Sequence, residues 1–282
     1  MSKLKFIDLF AGIGGFHLAL HKLDAECVLA AEIDNMARKT YEENFTKLSP
    51  KLFKNGKFYT DVTTIKTEDI PDFDILCAGF PCQPFSNIGK QRGFSDTRGT
   101  LFFEIARILK DKSPQVYILE NVRGLLSHND GNTFKIIKKT LLNLGYSFNY
   151  KILRASDYGV PQNRPRLFMV GFKDNNIEFE FPKAKPLKKT MSDIFNAPCD
   201  RDIGYTLRVG GKNSPPGDRH AWDWYRIEGQ WVQLNSTHAK EMQGFPKSFK
   251  FPVSESQTMK QLGNAVAIPV VQAIYKNIIK VL

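Results

Sequence analysis

The chain has 282 residues, enough for one large domain or for one domain carrying a smaller insert. A hydrophobic fraction of 42% supports a packed core and excludes an intrinsically disordered chain. The formal net charge of +11 suits a polyanionic partner, although charge alone assigns none. Four cysteines, Cys27, Cys77, Cys82 and Cys199, form no CxxC pair, and no histidine cluster has metal-ligand spacing, so no metal is expected. Reduced thiols fit a cytoplasmic compartment best. An apolar strand begins within a few residues of Met1, which leaves no room for a signal peptide, and no apolar run is long enough to span a membrane.

In chain order, residues 5–10 form a first apolar strand that runs into Ala11-Gly12-Ile13-Gly14-Gly15. Phe16, Ala19, Leu20 and Leu23 then mark one face of a helix. Strand, glycine turn and helix in that order suit a nucleotide-like ligand, but the spacing is not GxGxxG, so a pyrophosphate cradle is not the first choice. A second strand over 27–33 ends in Glu32, where such folds place a ribose-binding carboxylate. A helix over 36–44 follows. A third strand over 58–62 carries Asp61 at its end, where an acid can bond an adenine amino group or simply cap a turn.

The apolar run 73–77 reads as a buried strand, and it delivers Gly79-Phe80-Pro81-Cys82-Gln83-Pro84-Phe85-Ser86 to the sheet edge where open α/β folds bind ligands. Pro81 and Pro84 stiffen the backbone on either side of Cys82, and Gly79 admits close approach of a ligand. A cysteine presented this way is a candidate nucleophile, although most lone cysteines are small buried hydrophobes. Residues 87–99 form a polar, glycine-rich and basic loop that suits a lid over a phosphate backbone.

A helix over 100–110 leads to a fifth strand, 116–119, that ends in Glu120-Asn121-Val122. Glu120 lies beside Cys82 if these strands are neighbours, and a carboxyl shielded from water there could donate a proton at neutral pH. After a helix over 134–144, residues 147–153 and 166–172 read as an antiparallel pair closing the sheet. Arg164 and Arg166 lie between and at the start of these strands, two residues apart and so on one face, able to hold a phosphate or a base oxygen.

Beyond about residue 173, prolines, lysines and turn residues replace the alternating pattern. Residues 206–212 and 219–226 interleave aromatics with Arg208, Lys212, Arg219 and Arg226, a mixture common on nucleic-acid contact surfaces. Residues 173–240 therefore form a small irregular second domain, and residues 1–172 plus 241–282 the main one. A last helix over 264–281 is apolar enough to pack back on the main domain.

Six short motifs in this order resemble the DNA (cytosine-5)-methyltransferase family, most closely its compact bacterial restriction–modification members. They are Phe6 to Gly15, Gly79 to Ser86, Glu120-Asn121-Val122, Gln162 to Arg166, Gln243-Gly244-Phe245-Pro246 and Gly263-Asn264-Ala265-Val266. The resemblance covers nearly the whole chain. It implies a Rossmann-like α/β fold, S-adenosylmethionine as methyl donor, double-stranded DNA as substrate, a monomer, and in its cellular setting a restriction endonuclease acting on the same site. It also implies that the target base is flipped out of the duplex.

The resemblance makes Cys82 the thiolate that adds to cytosine C6, with Glu120 bonded to N3 and Arg166, with Arg164, orienting the base at O2. It carries over Phe10, Ala11, Gly12, Gly14 and Gly15 as the cofactor turn. Glu32 would take the ribose hydroxyls, Ile33, Asp61 and Val62 the adenine, Gly79, Pro81 and Leu101 the methionine end, and Asn264 and Val266 would complete the site. Gln83, Ser86, Lys90, Arg92 and Arg98 would meet DNA from the loop, and Arg208, Lys212, Arg219 and Arg226 from the second domain. Residues 234–242 lack the Arg-Glu pair usual in the family before Gln243, and the recognition region is short. A tRNA cytosine-5 methyltransferase and a non-catalytic cofactor- or DNA-binding module are the alternatives, with a nicotinamide dehydrogenase a distant fourth.

Overall fold

The computed structural model describes residues 3–81, 101–210, 214–218 and 220–282. Seven strands form one sheet: β1 (Lys5–Leu9), β2 (Glu26–Ala31), β3 (Phe58–Tyr59), β4 (Ile75–Gly79), β5 (Val116–Val122), β6 (Asn149–Arg154) and β7 (Pro165–Phe172). Their order is β3-β2-β1-β4-β5-β7-β6, parallel from β3 to β5 and antiparallel across β5–β7 and β7–β6. From β1 the chain winds outward through β2 to β3, then returns to β4 on the other side. That reversal opens a crevice at the carboxyl ends of β1 and β4, the position where open α/β sheets take ligands.

Both sheet faces are covered, so the strands read as continuous apolar runs. Phe6, Cys27, Ile75, Cys77, Val116 and Ile118 point to one face. There they meet α1 (Gly15–His21), α8 (Glu255–Asn264) and α9 (Ile268–Ile278). Ile7, Leu9, Leu29, Leu76, Tyr117 and Leu119 point to the other, under α4 (Leu101–Lys112) and α5 (Asn132–Asn143). Cys27 and Cys77 are thus small core hydrophobes, and burial pushes both thiols well up, away from the reactive thiolate form.

Several expected boundaries move, each for a local reason. The third strand is only Phe58–Tyr59, because the Asp61 side chain accepts from Thr63 N at 2.9 Å and turns the chain into a short 3-10 turn, Val62–Thr64. The second strand stops at Ala31, because Glu32 turns back onto the glycine loop. Helix α2 (Asn35–Phe45) starts where Asp34 caps it, accepting from Met36 N and Ala37 N. A further helix, α3 (Pro50–Lys54), was not expected and starts on its proline. The expected last helix, 264–281, is shorter, Ile268–Ile278: Asn264 is the last residue of the preceding helix α8, residues 265–267 are extended, and Pro269 lies in the first turn of α9.

Residues 173–240 hold α6 (Met191–Phe195), a hairpin of β8 (Trp224–Ile227) and β9 (Gln230–Gln233), and the start of α7 (Ser236–Met242). Met191, Ile194, Trp222, Tyr225 and Leu234 are buried in the same continuous core as α8 and α9. Helix α7 forms without an Arg-Glu pair: Asn235 and His238 cap it reciprocally, and Glu241 pairs with Lys189.

His17 is fully buried behind the glycine turn, where its ring stacks on Phe45 with centroids 4.0 Å apart. Nδ1 lies 2.5 Å from the Tyr41 hydroxyl and Nε2 2.9 Å from Ser49 Oγ. Burial, with a smaller push from His21, holds the imidazole well below the ordinary value of 6.5. The unfolded chain takes up this proton as pH falls through 6.5 and the folded chain does not, so the stability is whole above that pH and lost below it. Urea unfolding should lose about 1.4 kcal/mol per pH unit from this residue below about pH 6.5. The neighbouring Asp8 carboxyl, raised by burial from 3.8, acts in the opposite sense, so the readout is wild type against His17→Gln. Equal slopes in the two proteins would mean that His17 titrates freely in the folded state.

Candidate active site

The crevice encloses about 420 Å³ and is lined from both halves of the sheet. Its floor is the turn after β1. Phe10 and Gly12 both have φ of 56°, and Gly14, at 83°, caps α1 in the left-handed region. A Cβ on Gly12 would meet no atom within 4 Å, so this glycine faces open space. A Cβ on Gly15 would lie 2.6 Å from Val266 Cγ2, so this glycine lets the chain after α8 close on the turn. Gly14 departs from the expectation. It does not line the crevice but lies behind it, where an added Cβ would fall 2.3 Å from the Phe45 ring.

Phe10, Ala11, Gly12, Gly15, Glu32, Ile33, Asp61, Val62, Gly79, Pro81, Leu101, Asn264 and Val266 all line this one crevice. Glu32 is fixed by two backbone donors, Gly12 N at 2.7 Å and Asp34 N at 2.8 Å. Burial raises its carboxyl and these bonds oppose the rise. Ile33 is 68% exposed at the mouth, an apolar side chain with no core to enter. Sequence reasoning missed Phe16, Phe80 and Gln261. Gln261 arrives on α8 and accepts from Thr40 Oγ1, which leaves its buried Nε2 without a partner. Its signal was weak, since a lone glutamine on an amphipathic helix has many roles.

At the far end of the crevice β4 pairs with β5 so that Gly79 sits opposite Glu120. A Cβ on Gly79 would stand 3.5 Å from Glu120 Oε2, so the bare glycine leaves the carboxyl open toward the crevice. Across β5–β7, Val122 faces Arg166, and the Arg166 Nε lies 3.2 Å from Glu120 Oε1. Both side chains are largely buried. Burial raises the Glu120 carboxyl, while the Arg166 and Arg164 guanidinium groups pull it back, and burial prevails. The arrangement is a buried carboxyl, held above its ordinary value, beside a fixed cation. Asn121 Nδ2 donates to Phe80 O at 2.9 Å and holds the backbone just before Pro81. Cys82 follows Pro81 in the sequence but lies outside the described residues, as do Gln83, Ser86, Lys90, Arg92, Arg98, Lys212 and Arg219.

Arg164 is not free to act as its sequence position suggests. It is 2% exposed, and its Nη atoms donate to backbone carbonyls, Nη1 to Leu207 O at 3.1 Å and Nη2 to Gly263 O and Ala265 O at 2.8 Å each, while its buried Nε has no partner. Burial lowers it to about 9, which still leaves it cationic at neutral pH. Both arginines line the crevice, Arg166 bonded to the Glu120 carboxyl and Arg164 bonded to the framework carbonyls.

Of the basic residues expected on the second segment, Arg208 and Arg226 are described and exposed. Arg226 lies over the Trp231 ring at 5.8 Å, and Trp231 is 46% exposed on the hairpin. Arg201 stacks over Tyr205 at 3.8 Å, a second arginine–aromatic pair that the sequence reading did not single out. Among the described residues no cluster of three or more His, Cys, Asp or Glu is arranged to hold a metal ion, and no helix is long and apolar enough to cross a membrane.

The chain is similar along nearly its whole length to named bacterial enzymes. It is 39% identical to the type II methyltransferase M.HhaI of Haemophilus parahaemolyticus, over 99% of this chain and 95% of that one. It is 40% identical to M.SsoII of Shigella sonnei, over 99% and 81%, and 38% identical to M.MspI of a Moraxella species, over 98% and 71%. Among solved structures, Dnmt2 methyltransferase of S. pombe superposes with a TM-score of 0.76 at 21% identity, over 99% of both chains. A DNMT2 mutant from Spodoptera frugiperda gives 0.75 at 19%, over 98% of this chain and all of that one. These likenesses show the fold, the mixed sheet of S-adenosylmethionine-dependent methyltransferases. The sequence profile of C-5 cytosine-specific DNA methylase matches residues 4–214 and 227–280. With that match over most of its length, and with the glycine turn, the Glu120–Arg166 pair and Pro81 on one crevice, the chain belongs to the C-5 cytosine-specific DNA methylase family.

Proposed function

We propose that this enzyme methylates C5 of one cytosine within a short duplex sequence and protects its host DNA in a restriction–modification system. The observation that carries the reading is the Glu120–Arg166 pair at the end of the crevice where the Pro81-Cys82 motif begins. Cytosine C5 is a poor nucleophile. The Cys82 thiolate adds to C6, and the electron pair of the C5–C6 double bond moves toward C5 and N3. Glu120, in the protonated form that burial favours, donates to N3 as that charge develops, and Arg166 meets O2. S-adenosylmethionine, when bound, supplies the electrophilic methyl group. Loss of the C5 proton to a base and departure of Cys82 Sγ from C6 then restore the ring double bond.

The crevice suits that donor. Gly12 leaves open space where a side chain would intrude, Glu32 and Asp61 offer acceptors for hydroxyl and amino groups, and Gln261 Nε2 is a buried donor without a partner. Ile33 and Val62 offer apolar walls for an adenine, and Leu101, Asn264 and Val266 close the other side. Residues 1–172 with 241–282 form the catalytic unit and residues 173–240 the recognition unit, with Arg208, Arg226 and the arginine–aromatic pairs facing DNA. The enzyme acts as a cytoplasmic monomer, alongside an endonuclease that shares its site without a stable complex.

Bisulfite sequencing of DNA from cells expressing the wild type and, separately, Cys82→Ala tests the reading. The expected result is conversion-resistant cytosine in one short context, absent in the mutant. A folded wild type that protects no DNA cytosine would overturn it and direct the search to tRNA.

A further inference from the structure

Arg164 sits at a junction that the catalytic reading leaves unexplained. It enters just before β7 and reaches two segments far apart in sequence. One is the backbone at Leu207, inside the stretch read as meeting DNA. The other is Gly263 and Ala265, beside Asn264 and Val266 on the lip of the cofactor crevice. Two buried glutamines brace the same junction. Gln162 Oε1 accepts from Leu207 N at 3.2 Å, while its Nε2 donates to Met242 O and to Gln243 Oε1. Gln243 Nε2 donates to Leu262 O at 2.6 Å and Ala265 O at 3.0 Å. Gly263 completes the contact, since a Cβ there would lie 2.9 Å from the carbonyl carbon and oxygen of Arg208. The recognition backbone and the cofactor lip are therefore in direct contact, clamped by one planar cation.

We propose that Arg164 is a positioning residue that couples the DNA-reading segment at Leu207 and Arg208 to the cofactor lip 263–266, so that filling either site strengthens binding at the other. The inference rests on the functional reading above. A guanidinium presents several donors in a fixed fork, so a displacement of Leu207 O cannot occur without loading the bonds to Gly263 O and Ala265 O. Lysine carries the charge but offers a single flexible ammonium, which cannot hold three carbonyls in that geometry. Linkage then requires equal effects in both directions.

The test uses the full chain, S-adenosylhomocysteine as a donor analogue with no methyl to transfer, and a duplex containing the site found by bisulfite sequencing. DNA affinity is measured by fluorescence anisotropy with and without the analogue, and analogue affinity by calorimetry with and without DNA. For the wild type the analogue should tighten DNA binding by roughly ten-fold, within the 5–150-fold range usual for coupled sites. In Arg164→Lys that factor should fall to within about two-fold of unity, with the analogue's affinity in the absence of DNA changed by less than about three-fold. Gly263→Ala, which pushes on the Arg208 backbone and leaves Arg164 in place, should reduce the same factor, and it carries the test if Arg164→Lys does not fold. A wild-type factor near unity in an enzyme that methylates DNA overturns the coupling and leaves the function standing. So does a normal factor in Arg164→Lys with a reduced kcat, which would put Arg164 on the base itself. Absence of methylation by the wild type fails the functional reading instead.

Discussion

Cys82→Ala is expected to lower methyl transfer by at least about 10⁴-fold, the scale on which removing a covalent nucleophile acts. The thiolate is the sole feature proposed to make C5 electron-rich, so no neighbouring group substitutes for it. Two observations support this role for Cys82. It follows Pro81, which lines the crevice at the carboxyl end of β4, and the preceding backbone is pinned by Asn121 at Phe80 O. The other two cysteines near the sheet, Cys27 and Cys77, are sealed in the core with their thiols raised. A duplex carrying 5-fluorocytosine at the target provides the direct readout. In the presence of S-adenosylmethionine, fluorine at C5 cannot leave as a proton does once the methyl group is transferred, so the wild type should form an adduct that survives denaturing electrophoresis, and Cys82→Ala should form none. Its affinity for S-adenosylhomocysteine should stay within a few-fold of wild type. Full turnover by Cys82→Ala would refute the covalent mechanism.

Glu120→Gln should reduce kcat by about 10²–10⁴-fold, the usual weight of a positioned general acid. The amide keeps the shape and can still donate a hydrogen bond to N3, but it cannot hold a transferable proton. The sign of the pH dependence follows from the raised carboxyl. The protonated form is the active one, so wild-type kcat should fall as pH rises through the Glu120 pKa, and Glu120→Gln should lack that limb. Arg166 remains beside the amide, whose oxygen can still accept from Nε, so circular dichroism and the melting temperature should change little. A Glu120→Gln enzyme with wild-type kcat and the same alkaline limb would remove Glu120 from the chemistry.

Much of this site was legible because its parts are local. A glycine turn after an apolar run, an acid at a strand end and a proline-flanked cysteine each need only their neighbours in sequence to be recognised. Alternating apolar residues likewise mark strands buried on both faces. The misplaced boundaries came where a side chain outbid the pattern. Asp61 captures Thr63 N and ends β3 early, and Glu32 ends β2 by turning to Gly12 N. Gly14 looked like a crevice glycine because it shares the turn, yet its missing Cβ makes room for Phe45, which arrives from α2 thirty-one residues later.

The sequence by itself determined the family, the order of the motifs and the chemistry that each can perform, because those depend on residue types at short spacing. It also set the two-faced α/β sheet, through runs of apolar residues separated by helical periods. What only the tertiary structure decided is how distant segments share work. Glu120 meets Arg166 because β5 and β7 run antiparallel in one register, and a one-residue slip would turn these side chains to opposite faces. Arg164 and Arg166 are two residues apart with the same chemistry, yet one faces the reacting end and the other clamps three carbonyls from segments 43 to 101 residues away. Packing across such separations depends on the whole fold, and no local spacing encodes which of two similar arginines will find a carboxylate and which will be enclosed by backbone oxygens.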